Sequence, residues 1–203
     1  MGFSPGREDD SRTDPRSPVV RYEAADGGGT ITLDRPKVNA YEIGLMTQLG
    51  KAVAAADADT SVSVVVLRSS LSSVFSVGAD IKAWAANEVA DNQRLVNLAR
   101  ATAAAIAGSR VIFIAAINGH ALGGGLELAL AADLRFAAAG EYQLGLPEVK
   151  LGLMPGNGGT QRLARLVGSS RALALIATGD GIGPDEAHSI GLVDRLFPAE
   201  TFD

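Results

Sequence analysis

A chain of 203 residues with 47 % hydrophobic content can bury one proper core, so a single compact domain is expected. Its net charge of −5 argues against a general nucleic-acid binder. With no cysteine and only two histidines, His120 and His188, it has no disulfide framework and little from which to build a metal site.

Residues 1–18 mix three arginines with four acidic residues and three prolines. They offer little to bury, so 1–18 reads as a disordered leader and 19–203 as the domain. No apolar run approaches the roughly 20 residues of a membrane span, and the start lacks a signal-peptide core. The chain is therefore expected to have no membrane partner and to work in the cytoplasm.

Residues 19–25 and 30–33 look like strands, joined by the hairpin signal Asp26-Gly27-Gly28-Gly29. The polar turn that follows carries Arg35 and Lys37, which suits either a solvated loop or a phosphate contact. Residues 43–56 form an amphipathic helix with Leu45, Leu49, Ala52 and Ala56 on one face and Met46 and Val53 alongside. A β-branched strand over 62–67 is next. A loop then leads through Phe75-Ser76-Val77-Gly78-Ala79-Asp80-Ile81-Lys82 into a short helix. Residues 88–107 form a second long helix, with Leu95, Leu98, Thr102 and Ile106 sharing a face.

The centre of the chain is the stretch 114–136. An apolar strand over 111–117 is broken by Asn118 and Gly119, and Gly123, Gly124 and Gly125 precede a helix over 126–132. A glycine loop at a helix start leaves backbone N–H groups unpaired in a positive local field, which suits an anion or a developing oxyanion. Glu127 adds a carboxylate within the first turn. The order strand, loop, glycine, helix also occurs at 62–84, so two such units side by side could aim two sets of N–H groups at one point. Short strands at 134–138 and 142–144 follow. The Gly- and Pro-dense segment 146–160 reads as a fixed irregular backbone, succeeded by helices at 160–167, 170–178 and 184–189 and a last strand at 192–197.

Four segments now line up. Leu33-Asp34-Arg35-Pro36 with Asn39-Ala40, the 75–82 stretch, the 118–127 stretch, and Pro147-Glu148 through Gly158-Gly159-Thr160-Gln161-Arg162-Leu163 resemble the enoyl-CoA hydratase/isomerase (crotonase) superfamily. So does the tail with Thr178-Gly179-Asp180, Glu186-Ala187 and Gly191-Leu192-Val193.

The resemblance implies an α/β fold, a crotonase-like spiral of ββα units, with the usual C-terminal helical segment missing after Asp203. It implies an acyl-CoA substrate, no cofactor beyond the coenzyme A that the substrate carries, and a homotrimer or hexamer. By position in the motifs, the oxyanion hole would be the N–H groups of Ala79 and Gly124. Ala79, Asp80, Ile81, Lys82 and Gly124 would line the substrate, with Arg35, Lys37 or Lys82 near the CoA phosphates. Glu148 would be the principal proton donor and acceptor, and Glu127 the residue that positions water. The expected reaction is hydration of a 2-enoyl-CoA. The alternatives are an isomerase, another acyl-CoA lyase or hydrolase of the family, and a non-catalytic assembly subunit. Val77 stands where the family often has alanine, and both histidines read as structural. The helices over 160–178 are expected to expose Leu163, Leu166, Val167, Leu173, Leu175 and Ile176, and so to drive self-association.

Overall fold

Asp26 and Gly27 take positive φ, 51° and 81°, and so turn the first hairpin in two residues where four were expected. This frees Gly28 and Gly29 to pair with Ala25 and Ala24, and strand β1 (Val20–Ala25) runs antiparallel to β2 (Gly28–Leu33). The computed structural model describes residues 18–202, so the expected leader lies outside the described residues apart from Pro18.

Helix α1 (Ile43–Ala58) buries all six apolar residues assigned to its core stripe and packs on α3 (Val89–Ala107) and on β1 and β2. Strands β3 (Val64–Ser69) and β5 (Ile112–Ile117) alternate strictly, burying Val65 and Leu67, then Phe113, Ala115 and Ile117. Apart from the antiparallel β1–β2 pair the main sheet is parallel. Its order is β1-β2-β3-β5-β7-β9, with β7 at Leu134–Ala138 and β9 at Arg195–Phe197. A second, three-stranded parallel sheet is built from β4 (Val74–Ser76), β6 (His120–Leu122) and β8 (Leu144–Gly145).

Chain order thus visits the large sheet, then the small sheet, then a helix, and repeats. β3 and β4 lead to α2 (Ile81–Ala86), and β5 and β6 lead to α4 (Gly124–Ala131). β7 and β8 lead through a 3-10 turn (Pro147–Leu151) to α5 (Gly159–Val167) and α6 (Ser169–Thr178), and α7 (Pro184–Ser189) precedes β9. The echo seen between 62–84 and 111–131 is this repeat. It is the spiral of ββα units that the motifs implied.

The closing turn is pinned by a half-buried ion pair. Arg135 of β7, 3 % exposed, meets Asp194 at 2.6 Å and donates to the carbonyls of Leu192 and Ala132. A buried guanidinium is tolerated only when its donors are met in this way.

Candidate active site

The first wall of the site is built from a buried polar knot. Asn39, fully buried at φ 47°, donates its side-chain amide to Ser69 Oγ at 2.8 Å and to the Phe75 carbonyl at 3.0 Å, and accepts from the Arg35 N–H. Ser76 Oγ donates to the Asn39 carbonyl and accepts from the Gly78 N–H. These bonds hold the chain as it leaves β4. Beyond them Tyr41 and Ala79 form a parallel bridge: the Tyr41 N–H donates to the Gly78 carbonyl, and the Asp80 N–H donates to the Tyr41 carbonyl. The flanking groups take Tyr41, so the N–H of Ala79 itself faces the other edge.

Gly124 lies against Gly78, the residue before Ala79. Gly123, at φ 53° and ψ −127°, makes a turn that a side chain would strain, and α4 starts directly after it. The first helical N–H groups have no acceptor inside their own helix, and Gly124 carries the first of them. A Cβ on Gly78 would lie 2.6 Å from the Gly124 nitrogen, and one on Gly125 only 2.0 Å from the Ser76 carbonyl oxygen. The two segments therefore touch backbone to backbone. Ala79 and Gly124, expected as a pair of oxyanion donors, are brought together.

Two carboxylates flank this point. Glu127, 1 % exposed, sits one turn into α4, and its Oε1 accepts from the N–H groups of Asn157 at 2.7 Å and Gly159 at 2.8 Å. Burial raises its carboxyl above the usual range, against the pull of those two N–H groups. Both of these backbone bonds fall on Oε1. Glu148 comes from the 3-10 turn after Pro147, and a Cβ on Gly123 would lie 3.3 Å from its Oε1. Its Oε2 is buried without a hydrogen-bond partner among the described residues. Burial, reinforced by the charge of Glu127, pushes the Glu148 carboxyl up to about 7. An ionisable oxygen buried and unpartnered in this way is costly as structure alone and suits a group that exchanges protons.

The loop that grips Glu127 is itself held from two helices. Arg100 of α3 donates to the Gly156 carbonyl, and Arg162 of α5 donates to the Asn157 carbonyl. Arg162 stands within the Gly158–Leu163 motif with no role assigned to it, and Arg100 does not stand out in sequence, because each acts on backbone more than four residues away. Tyr41 was also missed: its phenol donates to the Gly124 carbonyl at 2.7 Å.

The remaining expected residues divide. Asp80 turns its carboxylate back onto the Lys82 and Ala83 N–H groups as the cap of α2, and these bonds with nearby Arg35 hold its carboxyl low. Ile81 is exposed, as is Lys82. Arg35 is engaged by Asp80 at 3.5 Å and Glu42 at 3.4 Å, so Lys37 and Lys82 are the freer cations. Val77, partly buried, packs where the turn at Gly123 passes. His120 accepts from the Gln143 N–H and meets Tyr142 edge-on, while His188 bonds the Val193 carbonyl. Both histidines are structural in these contacts. A cavity of about 640 Å³ lies on the other face of the large sheet, lined by Val66, Arg68, Ile114, Phe136 and Phe197. None of Ala79, Gly124, Glu127 and Glu148 lines it.

Comparison with known proteins identifies the family. A family model described as enoyl-CoA hydratase/isomerase matches residues 23–203. The mitochondrial methylglutaconyl-CoA hydratase of Mus musculus is 42 % identical over 180 residues, 87 % of this chain and 57 % of its own length. The fatty acid oxidation complex subunit alpha of Shewanella amazonensis is 40 % identical over 177 residues, 85 % of this chain and 25 % of its own. The chain thus spans between a quarter and just over half the length of these curated relatives. A crystal structure of an enoyl-CoA hydratase from Bacillus anthracis matches with a TM-score of 0.87 at 36 % identity, covering 91 % of this chain and 72 % of that one. The chain belongs to the enoyl-CoA hydratase/isomerase family.

Proposed function

We propose that this chain hydrates a 2-enoyl-CoA thioester, with coenzyme A carried by the substrate and no further cofactor. The observation that carries the reading is Glu148 Oε2, buried and unpartnered beside the Gly123–Gly124 turn, on a carboxyl pushed up to about 7. The thioester oxygen lies between the N–H groups of Ala79 and Gly124. Water adds to the β-carbon while the C=C electron pair moves to the α-carbon and the carbonyl oxygen, giving an enolate. Charge on that oxygen strengthens both hydrogen bonds, and each such donor is typically worth about 3 kcal/mol. Glu148 hands its proton to the α-carbon as the C=C bond is lost, and a water proton restores it. Glu127, fixed through Oε1, offers Oε2 to the attacking water.

The two carboxylates differ because their surroundings differ. Two backbone N–H groups favour the ionised form of Glu127, whereas no partner among the described residues reaches Glu148 Oε2. A carboxyl that keeps its proton up to about 7 beside one held by two N–H groups gives the two different roles that hydration needs. An enoyl-CoA isomerase needs only one proton shuttle, so the held Glu127 favours hydration. The test is the loss of conjugated-thioester absorbance across a panel of enoyl-CoAs, including 3-methylglutaconyl-CoA. In that assay Glu127→Gln should lower hydration at least about 10-fold more than it lowers isomerisation of a 3-enoyl-CoA. An equal loss in both reactions would overturn the division of roles.

Self-association of the cytoplasmic chain, as a trimer or a pair of trimers, belongs to the same proposal. The apolar surface differs from the one expected: Leu163 and Val167 are buried within the chain, and Leu175 and Ile176 pack partly on the core. Leu166 and Leu173 remain exposed, joined by Val149, Leu151, Leu153 and Met154 around the turn that carries Glu148. With α6 packed on that turn, Leu173 and the 149–154 residues belong to one region beside the site. A second copy laid there would cover apolar side chains and shield the carboxylates from water. Light scattering coupled to size exclusion should give an oligomer, and Leu173→Asp with Met154→Asp should shift it toward monomer. A monodisperse parental monomer would overturn this part.

A further inference from the structure

The oxyanion donors lie on segments 45 residues apart in sequence, and a hole that works must hold both at one spacing. Few elements bridge them. Tyr41 does so with a single residue. Its main chain brackets Ala79, with the N–H donating to the Gly78 carbonyl at 2.6 Å and the carbonyl accepting from the Asp80 N–H at 3.0 Å. Its side chain runs the other way, to the Gly124 carbonyl at 2.7 Å.

The ring adds a steric stop. A Cβ on Gly124 would lie 2.9 Å from Tyr41 Cε2, so the glycine lies directly against the Tyr41 ring. Tyr41 is 3 % exposed, and burial with the nearby charge of Glu127 keeps its phenol protonated, a donor at every working pH. Its backbone is anchored upstream by Asn39, in the left-handed region at φ 47°, and downstream by the start of α1. Neither end of the brace is therefore free to drift. A buried phenol needs an acceptor, and here the acceptor is the residue whose N–H the reaction uses.

We propose that Tyr41 is a positioning residue that sets the spacing and direction of the two oxyanion N–H groups, its main chain fixing Ala79 and its phenol fixing Gly124. The inference rests on the hydratase reading above and deepens it. Tyr41 takes no proton and touches no reacting atom. It keeps the donors aligned with the enolate oxygen rather than with the less charged ground-state carbonyl.

The test is Tyr41→Phe, which keeps the ring and removes the bond to Gly124. It is read by the carbonyl stretch of a bound, ¹³C-labelled enoyl thioester in difference infrared spectra, beside kcat and KM. In the parent chain the stretch should move to lower frequency on binding. In the variant part of that movement should be lost, with kcat down about 5- to 10-fold, the loss expected for one neutral hydrogen bond, and KM within about 2-fold. A general loss of packing would lower the folded fraction without altering the frequency of the ligand that remains bound. If the parent moves the stretch and the variant moves it equally with unchanged kcat, the proposal on Tyr41 fails and the hydratase reading stands. If the parent itself leaves the stretch unmoved, the hydratase reading fails and takes the proposal with it. Should Tyr41→Phe not fold, 3-fluorotyrosine at position 41 preserves the shape and makes the phenol a stronger donor. A frequency that then stays at the parental value overturns the proposal equally.

Discussion

Glu148→Gln is expected to lower hydratase turnover by about 10²-fold or more while leaving the binding of CoA esters within a few-fold of the parent. The amide occupies the same volume beside Gly123 but neither gives a proton to the α-carbon nor takes one from water. Turnover near the parental rate would remove Glu148 from the reaction. The same substitution makes a separate prediction about stability. The folded chain holds the Glu148 proton up to about 7, whereas the unfolded chain releases it near 4.5. Folding is therefore unaffected by this group below about pH 4.5 and is increasingly opposed as pH rises toward 7, where the penalty is complete. The full shift is worth about 3 kcal/mol, and partial solvent exposure of the carboxyl reduces this to roughly 1–2 kcal/mol. Glu148→Gln should gain that much on the parent between pH 4.5 and pH 8 in denaturant titrations. Comparing the two pH values cancels the constant cost of the amide itself. A pH-independent difference would mean that the carboxyl titrates at its ordinary value.

What could be read in the chain followed from how local each signal was. The stripe of α1 and the alternation of β5 are set by neighbours within one or two turns, and burial at Leu45, Leu49, Phe113 and Ile117 follows the pattern. The small sheet was legible only at 142–144, which meets β8 at Leu144, because its strands are two or three residues long, too short for any period to appear. Glu127 and Glu148 were found through motif resemblance, and their burial and mutual charge came only with the structure. The grip of Asn157 and Gly159 on Glu127 spans 30 and 32 residues, and the reach of Tyr41 to Gly124 spans 83. Such contacts are made by tertiary packing and leave no spacing to read. The helices at 159–178 show the converse error. Leu163 and Val167 looked exposable only because the surface that covers them is distant in sequence.

Gly124→Pro is expected to abolish turnover of every acyl-CoA, with at least about 10²- to 10³-fold lost for the single missing donor. Proline lacks the N–H and nothing else that the helix requires, since position 124 opens α4 and the first helical position accepts proline readily. Gly123 ahead of it already holds a conformation open to glycine rather than to a bulkier residue, so the turn need not change. The complication is the ring of Tyr41, which a Cβ at position 124 would meet at 2.9 Å. Gly124→Ala measures the cost of the Cβ and keeps the donor, while the proline's Cδ also enters the close contact between the position 124 nitrogen and Gly78. If the N–H stabilises the enolate, the alanine variant should retain a measurable share of turnover while the proline variant falls to the background rate. Both should still bind a CoA ester, and both should melt at similar temperatures. Equal activities in the two variants would mean that the Gly124 N–H carries no charge in the transition state. The effect of position 124 would then be steric, exerted through Tyr41.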